Sequence, residues 1–118
     1  IGANDPLRLL NLSEEQMNSF KKINSNHISA TKYIKKEIKK KKLEMQLEKM
    51  EDKIDISFVN KLIDDISDLE AELRKSEFSK NLEIRFLLND EQQLRFERLM
   101  QRKKMKDKTK IMIRNSRM

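Results

Sequence analysis

After Gly2 the chain has no further glycine, and after Pro6 no further proline. These two residue types are the usual breakers of regular backbone, glycine through its freedom and proline through its missing N–H. A chain that does without them up to Met118 is restricted to long helices joined by turns of Asp, Asn and Ser. No Asn-Gly or Asp-Gly hairpin turn occurs, and no run alternates Val, Thr and aromatics, so strands are not expected. The composition agrees: 40% of residues are charged, and Glu, Lys, Leu, Ile and Met dominate. With 36% hydrophobic and 5% aromatic residues, a compact core is thin. Long helices with narrow apolar stripes bury them against a second chain, so an oligomer is expected.

The periodicity sets the layout. Met17, Phe20, Ile23 or Asn24, His27, Thr31, Ile34, Ile38 and Met45 recur at steps of three, four or seven, which is one stripe of a helix. Nothing stops that helix across residues 14–51, although Asn24-Ser25-Asn26 are poor helix formers, so one helix or two remains open. Glu51–Asp55 is the best turn, with Asp55 or Ser57 as the next cap. A second stripe follows through Phe58, Leu62, Ile66, Leu69, Leu73, Ile84 and Leu87, and a last one through Leu94, Phe96, Leu99 and Met100. The expected fold class is all-α: a long antiparallel helical hairpin with short flanking helices. Residues 1–12 read as an irregular lead-in with an apolar patch at Leu7, Leu9, Leu10 and Leu12. Residues 13–106 form the hairpin domain, and 107–118 a basic tail too charged to be given a structure.

Two short segments repeat. In Leu12-Ser13-Glu14-Glu15-Gln16 the Ser13 hydroxyl can accept from an amide of the first helical turn, and Gln16 can reach back to the Ser13 amide, which is a capping box. Leu88-Asn89-Asp90-Glu91-Gln92 has the same form, and Phe20 and Phe96 stand four residues beyond each Gln. Either box alone is an ordinary helix start worth ~1 kcal/mol. Two of them bracketing a long hairpin are more specific. The arrangement resembles the Spy/CpxP family of periplasmic proteins, marked by a twice-occurring Leu-Thr-x-x-Gln motif and shared in plan by the metal-linked CnrX and ZraP proteins. Ser13 and Asn89 replace the Thr, and both are good caps. The resemblance spans about residues 7–100. It implies a periplasmic homodimer of intertwined hairpins acting as an ATP-independent chaperone or envelope-stress adaptor, without a cofactor. Its partners would be unfolded or partly folded clients, or a sensor protein.

Charge suggests where clients bind. Residues 35–42 hold six Lys and one Glu, a mutually repelling cluster that costs some helix stability. Lys35, Lys36, Lys39, Lys40 and Lys42, beside Ile34, Ile38 and Met45, are the candidate partner-binding residues: charge would speed capture and apolar contact would hold the client. For any single Lys a solvated face is the plainer reading. The seven Met are scattered, so most are core or tail residues, with Met45 and Met50 as adaptable client surface the second choice.

Other functions have less behind them. A metal sensor of the CnrX/ZraP type needs converging ligands, yet His27 is the one histidine and has Ile23, Asn24, Ala30 and Thr31 at helical spacing. Where that branch places ligands ahead of its second motif, this chain has Lys80 and Ile84. No metal site is therefore assigned, with His27 kept only as a weak candidate ligand. The absence of Cys removes disulfides, thiolate metal sites and thiol catalysis. Gly is too scarce for a phosphate-cradling loop, and no nucleophile signature accompanies His27, so no enzyme is expected. A basic coiled-coil module for nucleic acid draws only on the Lys cluster and the tail, with few aromatics to stack bases. No apolar run approaches the ~20 residues of a membrane span. The first residue is Ile rather than Met, so the chain is read as a processed or trimmed product whose leader or anchor lies outside it.

Overall fold

The computed structural model describes residues 6–116. A 3-10 turn, Pro6–Leu10, leads into three helices: α1 (Glu14–Lys49), α2 (Ile56–Leu87) and α3 (Asp90–Ser116). α1 and α2 form an antiparallel hairpin, as the stripes predict.

The junctions follow from short polar residues. Asn11 closes the 3-10 turn through its N–H to the Arg8 carbonyl at 3.1 Å and sits at φ 51°, in the left-handed region. Asn tolerates this region better than other non-glycine residues, so it serves here where glycine is missing. α1 begins at the predicted box: the Gln16 N–H donates to Ser13 Oγ at 3.1 Å and the Ser13 N–H to Gln16 Oε1 at 3.0 Å. It then runs unbroken through Asn24-Ser25-Asn26. Each poor former costs only ~0.7 kcal/mol, less than restarting a helix nucleus. The turn into α2 is capped by Asp55, not Ser57: Asp55 Oδ1 accepts from the Phe58 N–H at 3.1 Å. The Asp55 N–H donates back to Glu48 Oε1 at 3.0 Å, which ties the two sides of the turn together.

The chain divides into two compact units, Lys21–Glu83 and the paired segments Ile1–Phe20 and Ile84–Met118. In the first, Thr31, Ile38, Leu62 and Ile66 are buried, and Ile34, Met45, Leu69 and Leu73 are half-buried. Thr31 is a polar member of this seam, and its hydroxyl is satisfied by donating to the His27 carbonyl at 2.8 Å. Lys41 and Lys42 reach across to Asp65 and Glu70 at 3.7 and 3.6 Å. In the second unit Leu10, Phe20, Ile84, Leu88, Gln92 and Phe96 are buried together.

Three expectations change. Phe58 and Leu94, placed on the apolar stripes, are 39% and 58% exposed, because each points off the buried face of its helix. Within the lead-in, residues 6–10 form a 3-10 turn, while residues 1–5 lie outside the described ones. The basic tail is helical to Ser116, since Lys, Arg, Met and Gln are good helix formers. Arg117 and Met118 lie outside the described residues.

Candidate functional site

The two capping boxes meet. Gln92 repeats the box of Gln16, with its N–H donating to Asn89 Oδ1 at 2.9 Å and its Oε1 accepting from the Asn89 N–H at 3.1 Å. Across the junction, Gln16 Nε2 donates to Gln92 Oε1 at 2.8 Å and Gln92 Nε2 to Gln16 Oε1 at 3.1 Å. Gln92 Nε2 also lies 3.1 and 3.2 Å from the Leu10 and Asn11 carbonyls, sharing its N–H groups among these acceptors. Gln16 Nε2 donates to the Leu87 carbonyl at 2.8 Å.

Those bonds solve a problem set by a chain with no glycine after Gly2. The last carbonyls of a helix need donors, commonly supplied by a glycine-dependent backbone cap. At the end of α2 side chains supply most of them, Gln16 to Leu87 and Gln93 Nε2 to Arg85 and Leu88 at 3.1 Å each, beside the Leu88 N–H to Arg85 at 3.2 Å. Arg95 does the same for the 3-10 turn, donating to the Leu9 carbonyl at 3.1 Å and pairing with Glu91 at 2.7 Å. Phe20, Leu88 and Phe96 are buried in the same unit, and Leu12 is half-buried. Among the described residues no buried side-chain polar atom lacks a partner. The junction is neutral and already satisfied, so its amides fix geometry and offer nothing for acid–base chemistry.

The lysine cluster divides. Lys35, Lys36, Lys39, Lys40 and Lys42 are exposed, while Lys41 is half-buried against Asp65. The apolar residues assigned to this surface are less exposed than its lysines. Ile38 is buried and Ile34 and Met45 are half-buried, because all three lie on the seam face of α1. The exposed apolar neighbours are Tyr33 at 68%, Leu43 at 52%, Leu47 at 66% and Met50 at 80%. Lys36, Lys40, Leu43 and Leu47 follow one another at steps of four and three, so they share one outward ridge of α1, with Met50 next after it in the turn. The spacing was visible in the sequence, but the stronger inner stripe drew the apolar assignments to itself.

His27 sits in the seam. Its Nδ1 is 3.1 Å from Ser76 Oγ, beside a shallow hollow of about 170 Å³ that Ala30, Ser79, Lys80 and Glu83 help to line. Burial lowers its pKa below the ordinary 6.5, Lys80 and Lys35 lower it further, and Glu77 opposes them. Among the described residues no three His, Cys, Asp or Glu side chains are grouped to hold a metal ion.

Two further exposed features lay unread in the spacing. On α2, Phe78, Leu82 and Phe86 recur at steps of four and are 70%, 38% and 76% exposed. On α3, Arg98, Arg102 and Lys106 recur at the same step, and residues 101–109 are all exposed. Among the described residues no helix is long and apolar enough to cross a membrane. In comparisons with known proteins, no family model, no curated protein and no solved structure matches this chain.

Proposed function

We propose that the chain is an ATP-independent chaperone or envelope-stress adaptor of the Spy/CpxP kind, working in the periplasm as a homodimer. The observation that carries this reading is the outward ridge of α1, where Lys36 and Lys40 run directly into exposed Leu43 and Leu47, with exposed Met50 in the turn just beyond. Large apolar side chains in water are a standing cost unless something covers them. Interleaved lysines keep such a surface soluble and draw acidic segments to it before apolar contact is made. Leucine and methionine repack against varied shapes, which suits a client without fixed structure. The hydrogen-bonded pair of boxes supports the family likeness, since it gives the repeated motif a shared physical role at one junction.

The test is suppression of aggregation. An unfolded acidic client would be diluted into buffer with equimolar protein, without ATP, at low and high salt, and followed by light scattering. The chain should hold scattering down at low salt and lose part of that effect at high salt. Leu43→Asp with Leu47→Asp should abolish it while leaving helicity intact. Scattering equal to that of the client alone at low salt would refute the reading.

A further inference from the structure

We propose that the chain self-associates by laying α2 of one copy against α3 of another, with an acidic row meeting a basic one. The partner is a second copy because this chain carries both halves of the match. On α2, Asp64, Asp68 and Glu72 stand four residues apart and are exposed. On α3, Arg98, Arg102 and Lys106 stand four residues apart and are exposed. Both rows climb about 6 Å per step and drift around their helices in the same sense. Rows of this spacing are the ridges that interlock when two helices cross at about −50°.

The ionic steps alone fit either direction of approach. The other two acids near the row, Asp65 and Glu70, are already paired with Lys41 and Lys42, which leaves the row itself for a second chain.

This inference rests on the dimer in the reading above but not on client binding. The full chain can be tested by sedimentation equilibrium at low salt. The native chain should associate, and Arg98→Glu with Arg102→Glu should weaken association by about tenfold or more, since exposed pairs become like-charge contacts. Asp64→Lys with Asp68→Lys should weaken it similarly. The fourfold charge swap should restore it to within about threefold of native. A cross-link tests the contact itself. The chain has no cysteine of its own, so Asp68→Cys and Arg102→Cys chains, mixed and oxidised, should join far more readily than either alone. A native chain that stays monomeric overturns both this contact and the dimer. A dimer that persists through all the reversals, or fails to form the mixed cross-link, overturns this contact and leaves the dimer standing.

Discussion

Gln16 and Gln92, 76 residues apart, hold each other by two amide–amide hydrogen bonds of 2.8 and 3.1 Å. Each also caps its own helix, so neither side chain can leave without loosening two chain segments. Gln92→Ala should cost ~2–3 kcal/mol in urea unfolding, because carbonyls of Leu10 and Asn11 and the Asn89 amide lose a buried partner. Gln16→Ala should cost ~1–2 kcal/mol, being half-buried. The double variant should cost less than the sum by ~0.5 kcal/mol or more. Strict additivity would mean that the cross-junction pair contributes nothing.

Acidification should weaken the fold through His27. Its native pKa lies below the ordinary 6.5, so the unfolded chain binds the proton more readily. The stabilisation is complete above about pH 6.5 and is lost as pH falls through the lowered native value. The facing charges are Lys80 and Glu77 on α2 and Lys35 on α1. Thermal unfolding followed across this window should show the slope, and His27→Gln should flatten it. A slope unchanged in that variant would assign the effect to the carboxylates instead.

Buried and exposed side chains of α2 should respond very differently to truncation. Ile84→Ala removes a side chain that is 2% exposed and should cost ~2–4 kcal/mol. Phe86→Ala removes one that is 76% exposed and should change the stability of the single chain by less than ~0.5 kcal/mol. Chemical denaturation at low protein concentration would measure both. A large loss at Phe86 would mean that it is covered even in the isolated chain.

The turn cap is a simple check on local reasoning. Asp55→Ala should cost ~1 kcal/mol, whereas Ser57→Ala, which removes no cap, should be close to neutral. Equal losses would point to a cap shared between the two.

Much of this was legible in the residues. The inner stripe of α1, the turn at residues 51–55 and both capping boxes follow from periodicity and cap chemistry, which act over a few residues. Direct bonding between Gln16 and Gln92 was not legible, since two identical local signals do not say that they face each other. Nor was the extent of α3, where charge argued against order while helix propensity favoured it. Nor could the spacing say how far Ile34, Ile38 and Met45, assigned to a binding surface, are covered. An apolar residue beside a lysine can face either side of its helix, and these three belong to the stripe that packs inward.

The glutamine junction also has a consequence for time. Its donors and acceptors are separated by up to 82 residues, whereas the Glu48–Asp55 tie spans only 7. Closing a short loop loses little chain entropy and a long one loses more, so the apex of the hairpin forms early and the junction late. On the ribosome Gln92 emerges 82 residues after Leu10 and 81 after Asn11, and until then those two carbonyls wait for their donor. Folding therefore proceeds from the apex of the hairpin to the glutamine junction, and Gln92→Ala should speed unfolding while leaving the folding rate almost unchanged.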